Sequence, residues 1–281
     1  MHTRQDGDEP DEITRQYARH LFAQHGLNAY VPDEYKGFKL PLMVLSEQAY
    51  SNIRPWSDVD FFLKNLPPRV AKYALLRADG RHKWTPLHNA AGLVSHSMID
   101  CMLALAPDAA RLKNSNNELP LHIAADRNVV YSIELLVKAY PGGVLEKNNH
   151  GKTPLHLAVE KRNASPFIIN RILSMAPNVA RVKDSRGCLP LHNAARYENV
   201  DVVNLIFNAY PGALVERNNH GKTPIDILKL DGIFHLPLME LSYHALGKHG
   251  YENNTPSLQK LSNRLREVII SWKIPKLSPM L

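Results

Sequence analysis

Thr153-Pro154-Leu155-His156 is one of five variants of a single phrase, the others being Thr85-Pro86-Leu87-His88, Leu119-Pro120-Leu121-His122, Leu189-Pro190-Leu191-His192 and Thr223-Pro224-Ile225-Asp226. From proline to proline the intervals are 34, 34, 36 and 34 residues. A fixed period in that range marks a stack of supersecondary units, each burying its apolar face against its neighbours. Thr is a favoured N-cap and Pro a favoured first helical residue, so each Thr-Pro predicts a helix start. A second apolar set follows in every unit: Ile99, Met102 and Leu103; Ile133, Leu136 and Val137; Ile169, Ile172 and Leu173; Val203, Ile206 and Phe207. Offsets of three and four place each set on one face of a second helix.

A second proline series, Pro107, Pro141, Pro177 and Pro211, is spaced 34, 36 and 34 residues and should close those second helices. The segment from there to the next phrase is a finger-like turn. Both series lengthen together between His156 and Pro177, which places the two extra residues at Arg162-Asn163-Ala164-Ser165-Pro166, between the paired helices. Gly151, Gly187 and Gly221 at the finger tips suit a left-handed backbone, and Asn117 takes the equivalent place.

Phrase and period together resemble the ankyrin repeat, whose Thr-Pro-Leu-His signature runs on into an apolar-Ala-Ala stretch. Here that stretch reads Asn89-Ala90-Ala91, Ile123-Ala124-Ala125, Leu157-Ala158-Val159 and Asn193-Ala194-Ala195. The resemblance implies an all-α, ankyrin-type helix-turn-helix solenoid with β-turn or hairpin fingers, working as a binding scaffold. On that pattern residues 81–250 form the array of five units and 41–80 a degenerate N-terminal capping repeat. Six extra residues near Leu76 to Lys83 would lie in its first finger. Residues 13–40 and 251–281 read as helical extensions, the latter with an amphipathic segment over 256–273.

A longer period lies underneath. Residues 139–157 and 209–227 match at 12 of 19 positions, so the array reads as a duplicated pair of units. Units opening with Leu119 and Leu189 lack the capping hydroxyl, a loss of about 1 kcal/mol of helix stability each.

The chain has 281 residues and a formal net charge of +7. Residues 1–12 carry Asp6, Asp8, Glu9, Asp11 and Glu12 against Arg4 and read as a disordered acidic tail. No apolar run reaches the ~20 residues of a membrane span, and no secretory apolar region is present. Two cysteines, Cys101 and Cys188, are too far apart in the array to pair, which points to a reducing cytoplasmic compartment, with the nucleus as alternative.

Fourteen histidines raise the question of metal, but His88, His122, His156 and His192 occur once per unit and do not converge. Each is read as a hydrogen-bonding framework residue; no metal or cofactor is expected. Gly151-Lys152-Thr153 and Gly221-Lys222-Thr223 echo the end of a phosphate-binding loop. That loop needs a glycine five residues earlier, where Glu146 and Glu216 stand. Cys188 reads as an exposed finger thiol and Cys101 as packing material.

The resemblance puts variable contact residues on the fingers and the exposed ends of the first helices, along a concave strip. By register these are Asn116, Glu118, Asp126 and Arg127; Asn149, His150, Lys152, Glu160 and Lys161; Arg186, Arg196 and Tyr197; and Asn219, His220 and Lys222. Arg127, Arg186, Arg196 and Tyr197 lead, since Arg and Tyr are enriched at binding hot spots. The reading is a monomeric, non-enzymatic protein-interaction scaffold or adaptor for an acidic protein partner. Its rivals are nucleic-acid or anionic-surface binding, suggested by a pI of about 9.3, and an enzyme, for which the flanks are short.

Overall fold

Each Thr-Pro or Leu-Pro phrase starts an α-helix at its proline, and each second apolar set forms the helix that follows. The computed structural model describes residues 56–78, 82–93, 96–197, 199–224 and 226–227, together with His20, Ser46 and Ala49. The expected tail, the 13–40 and 251–281 extensions and the 256–273 helix lie outside these residues.

In chain order the helices are α1 (Trp56–Asn65), α2 (Pro68–Leu75), α3 (Pro86–Ala91), α4 (His96–Leu105), α5 (Pro120–Asp126) and α6 (Val130–Ala139). They continue with α7 (Pro154–Val159), α8 (Pro166–Met175), α9 (Pro190–Tyr197) and α10 (Val200–Ala209). The second proline series does more than stop a helix. It opens the tight 3₁₀ turns Pro107–Arg111, Pro141–Leu145, Pro177–Arg181 and Pro211–Val215. Among the described residues there is no β-strand.

The longer unit is explained where the sequence places its insertion. The turn between α7 and α8 spans 160–165, against 127–129 between α5 and α6. The first unit differs from expectation. Its extra residues are not confined to a finger near 76–83, because the eight-residue helix α2 stands where later units have a five-residue 3₁₀ turn. Val70, Ala71, Ala74 and Leu75 of α2 are buried, which favours extending the turn into a helix.

The chain divides into two units, residues 1–158 and 159–281. In the first, α3 packs on α5 and α4 on α6; in the second, α8 and α9 pack on α10. Ala90, Ala91, Ala124, Ala125, Ala194 and Ala195 are all buried, and their small side chains let first helices approach closely. Behind them Ile99, Met102, Ile133, Leu136, Ile169, Ile172, Val203 and Ile206 fill the core.

The phrase histidines are the repeating link. His122 Nδ1 accepts the Leu119 N–H at 3.1 Å, and the same bond closes α3 on Thr85 at 3.2 Å, α7 on Thr153 at 3.2 Å and α9 on Leu189 at 3.1 Å. With Nδ1 accepting, Nε2 carries the proton. It donates onward to the next finger: His88 to the Glu118 carbonyl at 3.0 Å, His122 to those of Glu146 and Lys152 at 3.1 and 3.3 Å, and His192 to that of Lys222 at 3.2 Å. His88, His122 and His192 are therefore neutral rings, each with one nitrogen used inside its unit and one on the next finger.

Leu119 shows how a missing cap is offset. It offers no hydroxyl, but its side chain is fully buried beside Gly143 and Leu121. Burying a leucine contributes roughly 2 kcal/mol, more than the ~1 kcal/mol lost with the cap. In the last phrase Asp226 takes the histidine place and its Oδ2 accepts the Thr223 N–H at 2.9 Å. A carboxylate can close that helix start but has no N–H to pass on.

Burial holds the His122 ring well below the usual imidazole range, at about 4, against the opposing influence of Glu118 and two backbone carbonyls. Burial likewise lowers His192. An unfolded imidazole takes up its proton near pH 6.5, so between there and about 4 the unfolded chain binds the extra proton and stability falls as pH falls. Chemical denaturation at pH 7 and pH 4.5 should show a loss of roughly 2 kcal/mol attributable to His122. The His122→Gln variant, without a titrating ring, should lose that component; an unchanged pH profile would contradict the assignment.

Candidate functional site

The fingers that carry the expected contact residues are tied by one side chain each. Asn114 Oδ1 accepts the N–H groups of Asn116 and Glu118, both at 2.9 Å. Asn148 does the same for His150 and Lys152 at 2.9 and 3.0 Å, Asp184 for Arg186 and Cys188 at 2.9 and 2.8 Å, and Asn218 for His220 and Lys222 at 3.0 and 3.1 Å. Short polar side chains at this place substitute for a backbone turn acceptor. The turn then needs a left-handed residue at its fourth place. Asn117, Gly151, Gly187 and Gly221 supply it with φ of 61°, 69°, 71° and 71°.

Fingers also bond to one another. Asn149 N–H donates to the Asn116 carbonyl at 2.9 Å and Asn219 N–H to that of Arg186 at 3.0 Å. Their side-chain amides add bonds to the Ser115 and Ser185 carbonyls at 3.0 and 3.2 Å. Asn149 and Asn219 are thus framework as well as surface.

In residues 1–158, Glu118 accepts the amides of Asn114 and Asn148 at 3.0 and 3.4 Å. Asp126 and Arg127 lie 3.8 Å apart at the end of α5. Asn116, Arg127 and His150 are exposed and Lys152 half-buried.

In residues 159–281, Arg186, Arg196, His220 and Lys222 are exposed, while Glu160, Lys161 and Tyr197 are half-buried. Arg186 sits over two carboxylates, with Nε 3.5 Å from Asp184 Oδ2 and Nη2 3.9 Å from Glu160 Oε1. Glu160 also accepts the Asn193 amide at 3.0 Å. The sequence reading missed Asp184, although Asn114, Asn148 and Asn218 at the equivalent places could have singled it out.

Cys188 corrects an expectation. It is buried, not an exposed finger thiol, and its Sγ accepts from Asn218 Nδ2 at 3.5 Å. Burial first, then Asp184, pushes the thiol up, against Asn218, Arg186 and Arg196. Neutral sulfur thus stands where Glu118 stands one duplication earlier. Cys101 is half-buried in α4, and burial raises its thiol also.

A further duplicated cluster went unrecognised in the sequence. Glu146 takes Lys113 Nζ at 2.8 Å and the Tyr140 hydroxyl at 3.0 Å, with Arg111 4.9 Å above the Tyr140 ring. Glu216 takes Lys183 Nζ at 2.8 Å and the Tyr210 hydroxyl at 3.3 Å, with Arg181 4.7 Å above that ring. The lysine in each case holds the glutamate below the usual carboxylate range. The Arg-x-Lys pairs 111/113 and 181/183, set 70 residues apart, were the available signal.

Among the described residues no group of three or more His, Cys, Asp or Glu could hold a metal ion. No described helix is long and apolar enough to cross a membrane.

A family model described as ankyrin repeats (3 copies) matches residues 87–175, and one described as ankyrin repeats (many copies) matches residues 179–228. The chain belongs to the ankyrin-repeat family. Its fold class is accordingly all-α and ankyrin-type, with paired helices and turn-built fingers. No curated protein matches the chain.

Two predictions follow from the finger geometry. A Cβ at Gly187 would lie 2.3 Å from Asn219 Oδ1, whereas one at Gly221, of equal φ, meets nothing within 4 Å. Gly187→Ala should therefore lower stability by about 2–3 kcal/mol and Gly221→Ala by about 1, as read by denaturant midpoint. In a native-state thiol titration near neutral pH, Cys101 should react ahead of Cys188, and Cys188 should become reactive only on unfolding. Equal native rates would contradict its burial.

Proposed function

We propose that this ankyrin-repeat protein is a non-enzymatic scaffold or adaptor that binds an acidic protein partner on the face built by its fingers and the exposed ends of its first helices. Ankyrin repeats are in general protein-protein interaction modules. The observation that carries the reading is the contrast between framework and surface. His122, His192, Asn148 and Asn218 are buried and hydrogen-bonded within the framework, whereas Arg127, Arg186, Arg196, His150, His220 and Lys222 are exposed to solvent.

Rigid presentation matters energetically. The finger turns are locked by two side-chain bonds each and bonded to a neighbouring finger, so little backbone order remains to be lost on association. Exposed guanidinium and ammonium groups favour an acidic partner and make binding sensitive to ionic strength. The free thiols of Cys101 and Cys188 fit a reducing cytoplasmic compartment, where the scaffold would act as a monomer.

Affinity capture from native extract tests the reading. The variant with Arg186, Arg196 and Tyr197 all changed to Ala should keep the wild-type melting temperature and lose the captured protein species. Capture of the same species by both would show that recognition lies elsewhere.

A further inference from the structure

The 70-residue duplication makes the chain its own control. His150 and Lys152 recur as His220 and Lys222 on fingers with the same turn bonds. The positions beside them do not recur. Asn116, Glu118, Asp126 and Arg127 carry one positive and two negative charges; their counterparts Arg186, Cys188, Arg196 and Tyr197 carry two positive and none negative. Identical finger tips therefore stand beside different sets of charges.

We infer that the acidic segment of the partner is held by residues 159–281, with Arg196 and Lys222 as its charged contacts and Arg186 beside them, and that the duplicate face of residues 1–158 does not hold it. This rests on the acidic-partner reading above and assigns that partner to one unit. Among the described residues neither Arg196 nor Lys222 forms an ion pair, and both are exposed. Arg186 is oriented from beneath. Its two carboxylate partners have side-chain exposures of 1% for Asp184 and 18% for Glu160, against 45% for the arginine itself.

Cys188 completes the arrangement by what it does not carry. In the first unit a carboxylate is needed at Glu118 to satisfy the amides of Asn114 and Asn148. In the second, the carboxylate has moved to the buried Asp184, and a neutral thiol receives the Asn218 amide. The negative charge is thereby withdrawn from the finger surface to its base. An acidic ligand meets Arg196 and Lys222 without a carboxylate at the finger exit. On the first unit it would meet Glu118 and Asp126.

Fluorescence anisotropy with a short labelled Glu-rich peptide and the full-length chain tests this, with folding of every variant checked by thermal melting. The wild type should bind one peptide per chain, more weakly at raised salt. Arg196→Asp with Lys222→Glu should weaken binding at least roughly tenfold. Asn116→Arg with Asp126→Arg should create a second site and raise the stoichiometry to two. Undiminished binding by the first variant, or two peptides on the wild type, would overturn the assignment to residues 159–281 while leaving the acidic-partner reading intact. No binding by the wild type at low salt would instead overturn the acidic-partner reading itself. An oligonucleotide of equal charge that outcompetes the peptide would overturn both in favour of nucleic acid.

Discussion

A buried imidazole with each nitrogen committed to a different repeat is the constraint on which the remaining structure depends. The ring must be neutral and of one tautomer, because Nδ1 accepts the first backbone N–H of its own unit and Nε2–H serves the next finger. Leaving either group unpaired in so buried a place costs on the order of 1–3 kcal/mol. Helix start, finger position and repeat-to-repeat contact are thus coupled through a single side chain. That coupling explains why the phrase keeps its histidine even where Leu119 or Leu189 displaces the capping threonine, and why Asp226 suits a final copy.

A second layer of constraint comes from the fingers. Each turn needs one short polar side chain to gather two N–H groups and one residue at positive φ to close the loop. Asn satisfies the first requirement in three fingers and Asp184 in the fourth. Where the turn residue became a carboxylate, the neighbouring position became Cys188 in place of an acid, so each pair of fingers keeps a single carboxylate in this cluster. Such an exchange preserves the framework while changing the surface charge. In a repeat stack that is an available route to specificity, because local charge can change without disturbing any helix.

Sequence periodicity alone disclosed much of this. Two proline series located both helices of each unit, the insertion between α7 and α8 and the tips at Asn117, Gly151, Gly187 and Gly221, since each feature has a local cause in cap, breaker or glycine chemistry. The helix α2 was not legible, because a five-residue 3₁₀ turn and an eight-residue helix both begin at proline and only burial of Val70, Ala74 and Leu75 separates them. Of the candidate contacts, residue identity could not separate Asn149 and Asn219, whose amides tie fingers together, from Arg196 and Lys222, which are exposed and form no ion pair among the described residues.

What residue order determined here is everything that acts within about one repeat: helix starts, helix ends, turn handedness and the spacing of framework histidines. Tertiary structure decided the fate of the polar side chains, turning Cys188 from a surface thiol into a buried acceptor and Asp184 into the support of Arg186. The reason is physical. Caps and turns are settled by bonds between near neighbours in the chain, whereas the burial and pairing of a polar group depend on what a residue some 30 positions away brings against it.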